Sequence, residues 1–242
     1  MDSKIYFEDY CSGKFQNQKT LCRITKEKGS SIETNGANPM TIRLLVAHDD
    51  LHIIKTLASK WKFVKDASGF NAFNNPSDAP RVSGALSYEV IVCPGKFDFI
   101  DVHKALFGFF SNLNSAMDRL AFEIAKLYEI SDDHIYWSSF FGKKPTYSIP
   151  PFKKIVNDQN QNKINWAIEC RHRLLHDGIL SIEFEDEDSI RLPKCPRNFK
   201  CNHWEPMETA CDSVFWEIID TMDATYGTLF NEITAKGLPL RL

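Results

Sequence analysis

Arg171, His172 and His176 stand close together in the segment INWAIECRHRLLHDG, residues 164–178. On a helical wheel at about 100° per residue, Arg171 falls near the centre of the apolar face. The two histidines lie one turn apart on the flank of that face, and Arg173 is expected on the solvated side. A guanidinium within an apolar stripe has to meet an anion or line a wet cleft, because an unpaired buried charge costs several kcal/mol.

Two interpretations of Arg171 stay open from the wheel alone. In the first, Arg171 forms a core salt bridge with a carboxylate of the preceding long helix, where Asp118 and Glu123 are the candidates. In the second, its guanidinium binds a phosphate as a fork. His176 falls in the last turn of its helix, where the dipole favours an imidazolium suited to general acid–base chemistry. A solvated histidine at the helix end is the alternative for His176.

The run RHRLLH, residues 171–176, is an R-x4-H motif with a polar second residue. It resembles the R-x4–6-H signature of the HEPN superfamily. The preceding long helix carries NLNSAMDRLAFEIAKL, which is similar to helices of several HEPN-like families. The resemblance covers roughly residues 98–236 and does not explain residues 1–95.

The resemblance implies a metal-independent endoribonuclease that needs no cofactor and acts as a homodimer, with two motif helices facing each other across a cleft. Arg171 would bind the scissile phosphate of RNA and stabilise its transition state. His176 would activate the ribose 2′-OH or protonate the leaving 5′ oxygen, giving a 2′,3′-cyclic phosphate. His172 would orient the site, and Asp118 would hold Arg171 or His176 in place. The resemblance also implies a role as a toxin or antiphage defence effector, with an antitoxin or a defence-system protein as partner.

Two other classes of function stay open. Members of the superfamily also bind RNA or partners without cleaving, so the chain could be a non-catalytic dimeric RNA-binding or adaptor module of the same fold. A helical-bundle metallohydrolase is the second alternative. His48 and His52 are spaced i, i+4 and could share a metal ion with the pair His172 and His176. His48 and His52 fall away from the apolar stripe of their own helix, which favours a surface position.

Two further groups of residues could carry function. Cys195, Cys201 and His203 are possible zinc ligands, but their spacing departs from paired C-x2–4-C motifs. Five lysines near the motif helix could bind the RNA backbone, with a solubilising loop as the alternative. These lysines are Lys143, Lys144, Lys153, Lys154 and Lys163.

The composition is that of a globular protein with one domain, or one domain and a modest appendage. The 242 residues include 29 basic and 32 acidic side chains, a formal charge of −3. This balance argues against coating nucleic acid through bulk charge, so contact with RNA would need a local basic patch. No apolar run approaches the roughly 18 residues of a membrane span, and the N-terminus is too charged for a signal peptide. We therefore expect a cytoplasmic protein.

Four long amphipathic helices are expected to position these residues. Their predicted ranges are 40–65, 98–130, 159–177 and 206–236, with the last two ending at Gly178 and Gly237. Small β pieces are expected in 1–35, at 85–92 and as a hairpin over 179–193. Loops or irregular connectors are expected at 66–82, 131–158 and 194–205.

The fold class expected from these elements is mainly α: a HEPN-like bundle of four to five helices with small β appendages, α+β overall. Residues 96–242 would form the HEPN-like helical domain that includes the hairpin. Residues 1–95 would form a β-containing N-terminal region whose helix 40–65 packs on the bundle.

Overall fold

A computed structural model describes residues 17, 39–68, 99–142, 144–158, 161–178, 180, 182–184, 190–197 and 203–241. The helices along these residues are α1 (Pro39–Ser68), α2 (Phe99–Leu127), α3 (Ser138–Phe141), α4 (Pro150–Asp158), α5 (Gln161–His176) and α6 (Met207–Lys236). The strands are β1 (Glu183–Phe184), β2 (Ile190–Pro193) and β3 (Trp204–Pro206). The described part of the chain is therefore mainly α, as its hydrophobic periodicity predicts.

The four long helices α1, α2, α5 and α6 occur where they are predicted, with ends that differ by at most a few residues. The end of α6 has a clear physical cause. Gly237 adopts a φ of 76°, and its N–H donates a hydrogen bond of 2.8 Å to the carbonyl of Ile233. A residue without a Cβ takes this conformation without steric cost, so the helix ends there.

The connector predicted over residues 131–158 contains two short helices instead, α3 and α4. Pro150 and Pro151 open α4, where their missing N–H groups cost nothing because first-turn N–H groups have no partner within a helix. Proline is also common in loops, which is why this part of the sequence predicts a connector and not a helix. The stretch 194–205 is likewise not wholly irregular, because β3 begins at Trp204.

The core forms where α1 packs along α2, and where α6 packs on α1, α2, α4 and α5. Each of these helices contributes large side chains that are almost completely buried. Burying a side chain of this size stabilises the fold by about 1.5 to 3 kcal/mol. Representative members are Leu44 and Ile54 of α1, Phe109 and Leu113 of α2, and Phe215 and Tyr226 of α6.

The three strands form an antiparallel sheet in the order β1-β2-β3. In its described residues the predicted hairpin over 179–193 is confirmed, because Glu183 pairs with Arg191 across β1 and β2. β3 then adds to β2, with Pro193 opposite Trp204. Both β2 and β3 contact α6, which places the sheet beside that helix.

Several expectations lie outside the described residues. These are the β pieces within 1–35 and at 85–92, and the loop 66–82 apart from its first three residues, which belong to α1. Within the described ranges, no helix combines the length and the apolar content that crossing a bilayer requires.

The contact between α1 and α2 is close at Gly108 and contains an unusual carboxyl group. A Cβ at Gly108 would lie 2.5 Å from Oδ2 of Asp50, an atom that is buried and has no hydrogen-bond partner. Burial raises the pKa of Asp50 to about 6, and the negative charge of Asp49 acts in the same direction, while a hydrogen bond from Asn112 opposes them. Folding therefore favours the neutral form of Asp50.

We expect Asp50→Asn to stabilise the protein at pH 7.5 by about 1 kcal/mol, a value reduced for solvent screening of this half-buried group. The folded protein binds an extra proton between the ordinary pKa of 3.8 and the raised value of about 6, so wild-type stability falls as the pH rises through that window. Urea unfolding from pH 4 to pH 7.5 measures this slope. Asp49→Asn, at the exposed neighbouring position, is the control. An unchanged slope in Asp50→Asn would contradict the assignment.

We also expect Gly108→Ala to destabilise the wild type by about 1 to 3 kcal/mol, because the new methyl group overlaps the Asp50 carboxyl. In an Asp50→Ala background the same change should instead stabilise α2 by up to about 1 kcal/mol, since alanine favours a helix more than glycine does. Urea unfolding of the four proteins of this cycle measures the difference. An equal effect of Gly108→Ala in both backgrounds would disprove the close contact.

Candidate functional site

The motif helix α5 buries one face against α2 and α6. That face consists of Ile164, Ala167, Cys170 and Leu174, each at most 5% exposed. The helical wheel also placed Ile168 and Leu175 inward, but Ile168 is half-buried and Leu175 is 43% exposed. The buried face is rotated towards Cys170 because α5 is covered by two helices.

Arg171 lies at the edge of the buried face, where its side chain is half-buried. Its Nε atom is buried and has no hydrogen-bond partner. Among the described residues, its guanidinium forms no hydrogen bond or ion pair. Its positive charge nevertheless acts on the carboxyl group of Asp118 of α2 and favours the ionised form of that group. The structure therefore brings Arg171 and Asp118 together, as predicted, without joining them in a closed salt bridge.

Asp118 connects α2 to the segment before α3. Its Oδ1 accepts a hydrogen bond of 2.9 Å from the backbone N–H of Trp137, and the Trp137 indole stacks on Phe141 with ring centroids 4.0 Å apart. Burial raises the pKa of Asp118, while the Trp137 hydrogen bond and the positive charge of Arg171 oppose that shift. Asp118 is thus a fixed carboxyl group facing an arginine that keeps donors available.

Glu123, the other predicted carboxylate, has a different partner. It is 3% exposed, and its Oε2 accepts a hydrogen bond of 2.9 Å from the hydroxyl of Tyr226 on α6. No ion pair or hydrogen bond joins it to Arg171 among the described residues. Glu123 therefore belongs to the packing between α2 and α6 and not to the surroundings of Arg171.

His172 and His176 are exposed on the outer side of α5. Their ring centroids lie 4.4 Å apart with an angle of 44° between the ring planes, so the two imidazoles form one paired group. His176 leaves the helix about 140° around its axis from Arg171. The exposed Leu175 lies between these two directions. The histidine pair is open to a ligand approaching from solvent, on a different side of the helix from Arg171.

Arg173 does not point into solvent, so that expectation was wrong. Its side chain is 13% exposed and forms an ion pair with Asp177. Its Nε donates to the carbonyl of Pro196 at 3.0 Å, and its Nη2 donates to the carbonyl of Arg197 at 3.2 Å. Residues 194–197 fold back over this side of α5, an arrangement that a helical wheel cannot show. Arg173 ties that segment to the helix.

The structure also locates most of the residues that were considered as possible metal ligands. His48 is half-buried between His52 and Phe215, with ring centroids 4.5 Å and 5.5 Å away, and burial together with the charge of His52 lowers its pKa. The described residues contain no group of three or more His, Cys, Asp or Glu side chains placed to hold a metal ion, so the pairs on α1 and α5 do not meet. In the zinc candidate, Cys195 and His203 are exposed, and Cys201 lies outside the described residues.

The predicted lysines fall into two groups. Lys144, Lys153 and Lys154 are exposed, and Lys143 lies outside the described residues. Lys163 lines a surface pocket of about 320 Å³ together with Trp166 and Lys194, two residues that sequence reasoning did not single out. The sequence contained a signal for both residues, because Trp166 belongs to the motif helix and Lys194 directly follows the predicted hairpin.

Comparisons of this chain with protein-family models, with curated proteins and with solved structures each found no match. The function is therefore inferred from the side chains on and around α5.

The two arginines of the motif should respond differently to substitution. We expect Arg173→Ala to destabilise the protein by about 2 to 3 kcal/mol, because it removes charge-assisted hydrogen bonds to two backbone carbonyls. Arg171→Ala should change stability by less than about 1 kcal/mol, since among the described residues its side chain forms no hydrogen bond that would be lost. Urea unfolding of both variants measures the contrast, and a larger loss in Arg171→Ala would contradict it.

Proposed function

We propose that the chain is a HEPN-like, metal-independent endoribonuclease in which Arg171 and His176 act on the scissile phosphodiester of RNA. The observation that carries the proposal is the combination on α5 of an arginine that forms no ion pair with any described residue and an exposed imidazole pair. A half-buried guanidinium with no ion pair among the described residues favours an anion as the partner of its accessible N–H groups. A phosphate is the anion that a guanidinium fork matches best.

The surroundings of Arg171 support phosphate binding. Asp118 lies near enough to influence it electrostatically but does not occupy its donors, and Asp118 is itself held by the Trp137 N–H. A carboxyl group in this place orients a guanidinium and leaves its outer edge free for a ligand. The charge of Arg171 would neutralise the phosphate as negative charge develops on its oxygens in the transition state.

The imidazole pair supplies the groups that transfer protons. In the proposed step, the ribose 2′-OH attacks the adjacent phosphorus and loses its proton to a base, while the bond from phosphorus to the 5′ oxygen breaks. His176 acts as the base for the 2′-OH or as the acid that protonates the leaving 5′ oxygen. His172, in contact with His176, orients that ring. The products are a 2′,3′-cyclic phosphate and a 5′-OH, and no metal ion is required.

The geometry of α5 favours a homodimer as the active form. Arg171 and His176 leave one helix about 140° apart, with the 43%-exposed side chain of Leu175 between them. A second α5 facing the first would cover Leu175 and place arginine and histidine side chains on both sides of one strand. Burial of an exposed leucine contributes favourably to such an interface.

We expect purified protein to cleave single-stranded RNA in the presence of EDTA, and Arg171→Ala and His176→Ala each to reduce the rate at least about 100-fold, because each removes a group that acts on the phosphate. Gel assays measure the rate, and mass spectrometry identifies the cyclic phosphate. A 2′-deoxy nucleotide at the cleaved position should block cleavage, since the nucleophile is missing.

Matched controls are His134→Ala, an exposed histidine remote in sequence from α5, and Arg241→Ala, an exposed arginine near the C-terminus. Both should cleave as the wild type does. Full activity in Arg171→Ala or His176→Ala would disprove the mechanism. RNA binding without cleavage in the wild type would instead favour the non-catalytic module, and a metal ion at one equivalent per chain together with EDTA-sensitive activity would favour the metallohydrolase.

A further inference from the structure

A surface pocket of about 320 Å³ lies where the first half of α5 meets α6 and the strands β2 and β3. This volume is at the lower end of the range for small-molecule sites. The pocket combines both signs of charge with an aromatic wall, and it lies away from the Arg171 side chain. The residues that matter to its chemistry are Lys163, Trp166, Lys194, Glu205 and Ser213.

Two lysines line the pocket. Lys194 is exposed, and its ammonium has no ion pair among the described residues. Within the described ranges, the single ion pair of Lys163 is a long contact of 3.8 Å between its Nζ and a carboxylate oxygen of Glu217. Two ammonium groups with spare donors beside one cavity are suited to a phosphate group, which accepts hydrogen bonds from both.

Trp166 gives the pocket a rigid flat wall. Its Nε1–H donates a hydrogen bond of 2.8 Å to the carbonyl of Pro193 on β2, and its ring packs edge-to-face on Phe110 at a centroid distance of 5.4 Å. The indole is therefore fixed before any ligand arrives, which lowers the entropy cost of binding. A planar ligand can stack on such a ring, as bases stack on aromatic side chains in proteins that bind single-stranded nucleic acids.

Glu205 narrows the choice of ligand. Its side chain is half-buried at the pocket, and it has no ion pair or hydrogen bond among the described residues. A carboxylate repels a bare anion but accepts hydrogen bonds from an amino group, as carboxylates do from cytosine N4. The Ser213 hydroxyl adds a donor and acceptor. The pocket thus favours a ligand with a negative end, a planar body and an amine.

We infer that this pocket binds one nucleotide whose base carries an exocyclic amine. Its phosphate lies between Lys163 and Lys194, its base packs against Trp166, and the amine donates to Glu205. Adenine, cytosine and guanine meet this requirement, and uracil does not. The inference rests on the proposed function only in taking an RNA strand as the natural source of the nucleotide. Lys163 and His176 are 13 residues apart on α5, about 20 Å along the axis, so the pocket would hold the strand away from the cleaved bond.

Isothermal titration with 5′-AMP, 5′-CMP, 5′-GMP and 5′-UMP tests the pocket directly. We expect the three amine-bearing nucleotides to bind about tenfold more tightly than 5′-UMP. Lys194→Ala should weaken all of them about tenfold, and Glu205→Ala, which removes the acceptor, should remove the preference without abolishing binding. Lys104→Ala, at a lysine whose side chain is 71% exposed, is the control and should bind as the wild type does. Circular dichroism verifies that each variant is folded.

Three results of the titrations would overturn the inference or a part of it. No binding of any mononucleotide, or an unchanged affinity in Lys194→Ala, overturns the pocket as a nucleotide site. Equal binding of 5′-UMP and the other three overturns the role of Glu205.

RNA cleavage kinetics separate this inference from the proposed function. If the wild type cleaves RNA, Lys194→Ala should raise KM and leave kcat unchanged, and an unchanged KM would overturn the pocket as an RNA subsite while the proposed function stands. If the wild type binds mononucleotides with the expected preference but cleaves no RNA, the pocket is supported and the proposed function fails.

Discussion

The burial of one face of α5 between α2 and α6 constrains every other side chain on that helix. Ala167, Cys170 and Leu174 are almost fully covered, so the orientation of α5 about its axis cannot change without exposing them. This orientation sets Arg171 at the edge of the covered face and sets His172 and His176 on the outside. The chemistry proposed for the helix therefore depends on how α5 is oriented about its axis.

The same packing gives neighbouring arginines opposite roles. Arg173 meets the carbonyls of residues 196 and 197 and the carboxylate of Asp177, so its donors are occupied. Arg171 meets no acceptor at hydrogen-bond distance in the part of the chain that the structure describes, and its Nε is buried without a partner there. An arginine whose donors are filled stabilises the fold, whereas one held with donors free is available for a ligand. Nothing in the identity of the two residues distinguishes them, because only their neighbours differ.

α5 also links the two candidate binding regions. Lys163 and Trp166 of its first half line the pocket beside β2 and β3, and the histidine pair belongs to its last turns. A strand that follows the outer side of the helix would pass from one region to the other. Because both regions are built on one rigid helix, their separation is fixed, and the pocket would select which bond of a bound strand reaches the histidines.

Local patterns in the sequence determined the four long helices, the end of α6 at Gly237 and the hairpin seen in β1 and β2. The helical wheel put Arg171 near the centre of the apolar face, whereas the structure has it half-buried at the edge of that face. The sequence also offered Asp118 and Glu123 equally as its neighbours, and only the packing of α5 distinguishes them. The helix α4 escaped notice because prolines that open a helix resemble prolines that end one, and α3 has only four residues, too few for a periodic pattern.

Only the tertiary structure decided which acceptors each polar side chain meets. In the folded chain, Glu123 accepts a hydrogen bond from Tyr226, and Arg173 donates hydrogen bonds to the segment 194–197. Lys163 and Trp166 line one pocket together with Lys194 and Glu205. These partners come from segments that are distant in the chain, and their approach depends on how whole helices and strands pack. A helical wheel gives the direction of a side chain around its helix, but the residue that the side chain contacts in that direction depends on the complete fold.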